Sequence, residues 1–150
     1  MKQLITEMII NAPAEKVWEV LVEFQKYPEW NPFIKAFQGE IREGKSFKVT
    51  IQPPGAKPMT FNPTCLKFTE NREFRWKGHL FFRGLFDGEH IFELSPAGPG
   101  QTKFIQRENF SGILVPFMWK QLEPKTRQGF EMMNKKLREM AENLQESKPD

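Results

Sequence analysis

The sequence predicts an α+β domain in which one strongly curved antiparallel sheet packs against a single long helix. Three observations lead there. Residues 34–111 hold about six segments of alternating apolar and polar residues, separated by turn signals. The last forty residues change to a period of three or four. A further strand and a short amphipathic helix come before both. Short connections make successive strands antiparallel neighbours. A sheet with one apolar face, laid on a helix with one apolar stripe, is the simplest two-layer arrangement.

Residues 3–10, QLITEMII, alternate as a strand. NAPAEKVWEVLVEF follows, with Val17, Trp18, Leu21 and Val22 at helical spacing over about three turns. Asn11 or Ala12 suits its N-cap, Pro13 its first turn and Glu15 the positive end of its dipole. In YPEWNPF (27–33), Pro28 and Pro32 limit regular structure to a compact turn or one helical turn. The strands then read 34–42, 44–51, 59–69, 72–80, 86–95 and 101–111. Pro63 inside 59–69 argues for an edge or a bulge. Leu122, Thr126, Phe130, Met133, Leu137, Met140 and Leu144 mark the apolar stripe of the last helix. Pro124 starts its regular part or kinks it. Gly129 costs about 1 kcal/mol against alanine there, so the missing side chain leaves space that something needs. The chain reads as one domain over 1–150, with a frayed tail at about 145–150.

Composition narrows the function. A chain of 150 residues has the length of one domain. It buries roughly 70% of its unfolded surface. A net charge of +3, spread along the chain, gives no reason to expect nucleic acid. The single cysteine, Cys65, cannot form an intrachain disulfide, which fits a reducing cytoplasm. No apolar run approaches the length of a membrane span. Fifteen Phe, four Trp and seven Met stand against one Tyr. Such residues fill a core or line an adaptable pocket.

The segment FIQRENFSG (104–112) carries the chemistry. Its strand face with Phe104 and Phe110 also carries Gln106 and Glu108. If the 95–100 loop closes a symmetric hairpin, Phe92 opposes Phe104, His90 opposes Gln106 and Gly88 opposes Glu108. The 81–85 loop likewise brings Trp76 near His90. His90, Gln106 and Glu108 then form one polar patch bounded by Trp76, Phe92, Phe104 and Phe110. The other faces carry Glu89, Ile91, Glu93, Lys103, Ile105, Arg107 and Asn109, a mostly charged set that belongs in solvent. A one-residue slip would bury those charges, so Glu108 points inward and needs a partner, His90 being the nearest.

Taken together, I.APAEKVWEVL..F..YPEWNPF, FRWKG, LFDGEHIFEL, GQTKFIQRENFSG and GFEMMNKKLRE resemble the START-like, or SRPBCC, superfamily, and within it the bacterial polyketide cyclase/dehydrase-type branch. The resemblance covers nearly the whole chain in order. It implies a helix-grip fold: a curved seven-stranded antiparallel sheet wrapped around the long C-terminal helix, with an internal cavity. By position it implies Trp30, Phe47, Trp76, His90, Phe92, Gln106, Glu108, Phe110, Phe130 and Met133 as cavity residues. Gln106 stands where many relatives of this branch carry His.

Among the chemistries, a metal site is disfavoured, because His79 lies on the outward face and His90 has one carboxylate and no thiol nearby. Cys65 has no histidine at hand and reads as a small buried hydrophobe. No phosphate-binding glycine loop or serine elbow is present. No cofactor is implied. The leading expectation is binding or transport of a small hydrophobic or amphipathic ligand. His90 and Glu108 are also candidates for an acid–base pair in a cyclase, dehydratase or isomerase acting beside a carbonyl. The apolar runs FFRGLF (81–86) and GILVPFMW (112–119), the latter read as a connection, either gate the cavity with YPEWNPF or dock to a membrane surface or partner.

Overall fold

The computed structural model describes residues 1–147. The elements run β1 (Lys2–Ile10), α1 (Ala14–Leu21), a 3-10 turn (Phe24–Lys26), α2 (Tyr27–Trp30), β2 (Ile34–Gln38), β3 (Lys48–Ile51), β4 (Met59–Phe61), β5 (Thr64–Thr69), β6 (Glu73–Leu80), β7 (Phe86–Gly98), β8 (Gln101–Ser111) and α3 (Val115–Ser147). The α+β class and the long C-terminal helix are as expected, and the architecture is that of a helix-grip fold. All the paired strands are antiparallel. The part of the expected tail beyond Ser147 lies outside the described residues.

The strand count is a correction. Instead of seven strands in one sheet, eight strands form a five-stranded sheet, β1-β8-β7-β6-β5, and a three-stranded sheet, β2-β3-β4. Pro63 is the cause. It has no N–H for a ladder and divides the expected 59–69 strand into β4 and β5. The two sheets meet at that corner. The Phe47 amide donates to the Pro63 carbonyl at 3.0 Å, and Cys65 exchanges bonds with Gly44 and Lys45 at 2.8 and 2.9 Å.

Other boundaries shifted for local reasons. β2 ends at Gln38 rather than 42, because Gly39 turns the chain with φ +101°. The N-cap of α1 is Pro13, whose carbonyl accepts the amides of Lys16 and Val17 at 3.0 and 3.2 Å. The helix is eight residues long, shorter than read. The run 112–119 is not merely a connection, since α3 begins at Val115 within it and continues through Pro124.

α3 buries Thr126, Phe130, Met133 and Leu137, then Ala141 in place of the expected Met140. The Gly129 expectation has a concrete form: a Cβ there would collide with the Phe33 ring. Asn31 sets that ring. Its Oδ1 accepts the amides of both Phe33 and Ile34 at 2.8 Å, turning the chain out of α2 into β2. Much of the phenylalanine excess goes into packed rings: Phe24–Phe37 centroids lie 4.7 Å apart, Phe74–Trp76 5.0 Å and Phe74–Phe92 6.0 Å.

The outer sheet face is mostly charged, with Ile5, Ile9, Ile91 and Ile105 among the charges. Ile91 is fully buried there. Its cross-strand neighbours are Arg75 and Arg107. Their guanidinium groups are held by Glu73 and Glu93, each at 2.7 Å, so their aliphatic stems flank it.

Candidate functional site

The β7–β8 hairpin is two residues out from the symmetric expectation. Its turn is tighter, with Gly98 paired to Gln101 and a bulge between Pro96 and Gly98. Phe104 therefore opposes Leu94 and Gln106 opposes Phe92, while His90 opposes Glu108 directly and Phe110 opposes Gly88. Parity survives a two-residue shift, so the inward set is unchanged. Trp76 opposes His90 on the other side, and the two rings stack at 4.5 Å and 13°.

His90, Gln106 and Glu108 do meet, and two residues that the sequence did not single out complete the group. Thr6 from β1 donates from Oγ1 to the Gln106 carbonyl at 2.9 Å. The Asn134 amide nitrogen from α3 donates to Thr6 Oγ1 at 2.9 Å. Gln106 Nε2 donates to Asn134 Oδ1 at 2.7 Å and lies 3.4 Å from the Phe130 carbonyl. Gln106 Oε1 lies 2.9 Å from His90 Nε2.

This chain has only one direction. The Gln106 carbonyl can only accept, so Thr6 donates to it. Asn134 must then turn its NH2 to Thr6 and its oxygen to Gln106. Gln106 in turn presents its oxygen to His90, and His90 Nε2 must carry a proton. The remaining nitrogen, Nδ1, stands 3.4 Å from Glu108 Oε1, without the alignment of a hydrogen bond. A bare Nδ1 lone pair facing a carboxylate would be unfavourable. A proton on either group would remove that conflict.

Glu108 also reaches open space. A Cβ on Gly88 would collide with its Oε2, so the glycine makes room for the carboxylate. Beyond it lies a cavity of about 160 Å³ between sheet and helix. Phe33, Val49, Ile51, Phe61, Trp76, Phe86, Phe110 and Leu122 supply apolar wall, Glu108 and Thr126 are polar residues of the lining, and exposed His79 lies at its rim. Exposed Met59, His79 and Met118 place its mouth at the surface.

Of the ten residues expected in a cavity, Trp76, Glu108 and Phe110 line this one. His90, Gln106, Phe92, Phe130 and Met133 are buried behind the wall, and Phe47 packs against Trp76 at 5.9 Å. Trp30 packs on Tyr27 at 5.1 Å, away from the cavity. The alternating pattern reports which face a side chain takes, but not how deep it lies. Leu122 and Thr126 belonged to the recognised helix stripe, whereas nothing short of the fold marks Val49, Ile51 and Phe61 as wall.

Cys65 is fully buried, with its Sγ 3.7 Å from the Lys67 carbonyl. Burial pushes the thiol up, and Glu43 adds to this. Among the described residues, no cluster of three or more His, Cys, Asp or Glu has the arrangement of a metal site. No helix there is long and apolar enough to cross a membrane.

Residues 1–145 match the family described as polyketide cyclase/dehydrase and lipid transport. The chain belongs to that family. Solved structures that include an aromatase/cyclase and a START superfamily protein share its fold over most of the chain. An aromatase/cyclase, Zhui, from Streptomyces is 14% identical, with a TM-score of 0.76 over 94% of this chain and 93% of its own. A START superfamily protein from Mycobacterium smegmatis is 22% identical, with a TM-score of 0.72 over 95% and 98%. A protein from Thermus thermophilus is 17% identical, with a TM-score of 0.73 over 98% and 100%. At these identities the likeness to the solved structures is one of fold. A comparison with curated proteins finds no match. For this member of the cyclase/dehydrase and lipid transport family, the chemistry has to be argued from its own cavity.

Proposed function

We propose that this protein binds a small hydrophobic or amphipathic molecule in the cavity between its sheet and α3. One observation carries the reading: a single carboxylate, Glu108, reaches into an otherwise largely apolar enclosure, with His90 fixed behind it. Such a pocket suits a ligand with an apolar body and one hydrogen-bond donor. The cavity volume of about 160 Å³ is of the same order as the engineered cavity of about 150 Å³ that holds one benzene in another protein. A ligand larger than one ring would extend into the mouth at Met59 and Met118.

The test is direct. Native mass spectrometry of the purified protein looks for a co-purifying small molecule, and an apolar fluorescent probe measures uptake. Leu122→Trp fills the cavity from α3 and should abolish uptake. Gly88→Ala should displace the Glu108 carboxylate and weaken donor-bearing probes more than plain hydrocarbons. Unchanged uptake in Leu122→Trp sinks the proposal.

A second reading is favoured by the facing of His90 and Glu108 at 3.4 Å. A carboxyl group at the cavity wall with an imidazole behind it has the parts of a general acid–base pair for proton abstraction beside a carbonyl. In that case Glu108→Gln should abolish turnover of a hydrophobic carbonyl substrate and leave its binding intact.

A further inference from the structure

Four strongly exposed large apolar side chains lie on the two segments that also supply cavity wall. Phe81 is 81% exposed, Phe82 61%, Ile113 68% and Phe117 85%. Isolated exposed hydrophobes are ordinary, but these sit on two adjoining segments. The Ile113 amide donates to the Gly84 carbonyl at 3.1 Å, and the Leu114 amide to the Leu85 carbonyl at 3.0 Å. The Gly84 amide is held in turn by the buried carboxylate of Asp87 at 3.0 and 3.2 Å. The exposure is thus built into bonded backbone. Phe81 adopts φ +66°, a left-handed conformation that costs a bulky residue energy, and no burial of its ring offsets that cost.

The exposed charges on these segments are cationic, while the flanking carboxylates are engaged: Asp87 is buried on the Gly84 amide, and Glu123 pairs with Arg127 at 2.6 Å. Segments 80–86 and 112–122 carry Arg83 and Lys120, both exposed, and no carboxylate. Leu80, Phe86 and Met118, from the same segments, line the cavity. Exposed apolar rings with the cations Arg83 and Lys120 beside them match the boundary of a bilayer with anionic headgroups: the rings enter the acyl region while the cations meet phosphate. A protein partner would have to present an apolar face edged with acid, whereas an anionic bilayer offers both along its whole surface.

We propose that the 81–86 loop and the first turns of α3 form a peripheral docking surface for anionic membranes. Docking would set the cavity mouth against the lipid. Only that consequence rests on the cavity reading; the docking itself does not.

The experiment is flotation of ligand-free protein with vesicles of phosphatidylcholine alone or mixed with phosphatidylglycerol. The expected result is several-fold greater partition onto the mixed vesicles, weakened by added salt. Phe81→Ser with Phe117→Ser, and separately Arg83→Glu with Lys120→Glu, should each reduce it roughly tenfold or more. Thermal melts check folding, which substitution at such exposed positions should preserve. Probe uptake into the cavity should be unchanged in both variants, which separates failure of docking from failure of the cavity proposal. Absence of partition, equal partition onto neutral and anionic vesicles, or partition indifferent to these variants overturns the proposal. Self-association through this surface, seen by sedimentation and abolished by the phenylalanine variant, overturns it too.

Discussion

His90 and Glu108 are direct cross-strand partners, and their side chains face each other with Nδ1 3.4 Å from Oε1. The far side of the imidazole is committed to Gln106 at 2.9 Å. Whatever proton the pair shares is therefore confined to the side that faces the cavity wall. In ¹⁵N NMR, His90 Nε2 should remain protonated in the parent and in Glu108→Gln alike. A bare Nε2 in either would refute the direction assigned to the hydrogen-bond chain.

Asn134 holds that chain to the helix. Asn134→Ala should cost about 1–3 kcal/mol in urea unfolding, because it leaves the buried Gln106 amide without its main acceptor. Asn134→Leu combined with Thr6→Val should cost less than the sum of the two single changes. The bond between Asn134 and Thr6 is lost in each single change but counts only once in the double change, so the pair leaves fewer orphaned groups than the two singles added together. Simple additivity would mean that the two residues are not coupled.

Gly129 sets two effects against each other. Alanine there gains about 1 kcal/mol of helix propensity. Its Cβ, however, collides with the nearly buried ring of Phe33, and overpacking costs about 1–3 kcal/mol. Gly129→Ala should therefore be neutral to destabilising by about 2 kcal/mol, with partial recovery on adding Phe33→Leu. A clear stabilisation by Gly129→Ala alone would show that the ring has room to move.

Tyr27 governs an alkaline transition. Its hydroxyl donates to the Leu21 carbonyl at 2.5 Å, and full burial pushes the phenol far above its usual range. The unfolded phenol ionises near pH about 10, while the folded one stays neutral. Unfolding then releases a proton, so stability present below pH about 10 falls as pH rises past it. Tyr27→Phe should lose about 1 kcal/mol near neutrality and shed the Tyr27 contribution to the alkaline decline. As this is the only tyrosine, tyrosinate absorbance in the parent reports the event without ambiguity. Smooth titration near pH 10 in the folded state would contradict it.

The hairpin shows how legibility worked. Parity placed His90, Gln106 and Glu108 on one inward face, because shifting a strand by one would have buried Arg107 and Glu93. The charges say nothing against a shift of two, so the pairing of His90 with Glu108 rather than Gln106 had to come from the tight turn at Gly98. Pro63 was legible as a disturbance within 59–69, but not as the corner where one sheet becomes two. Ile91 misled for a similar reason. Its face is charged, yet the stems of Arg75 and Arg107 cover it.

The sequence by itself determined the element order, the inward faces, the long helix and the need for a partner at Glu108. These follow from local periodicity and from the cost of burying charge, which act along the chain. Only the tertiary structure decided depth: which inward residues are packed solid and which face a void. It also brought Thr6 and Asn134, 128 residues apart, into one hydrogen-bond chain. Such properties depend on how β1, β8 and α3 pack together. No local pattern encodes that distance, because side-chain depth is set by the gap between layers rather than by position along either one.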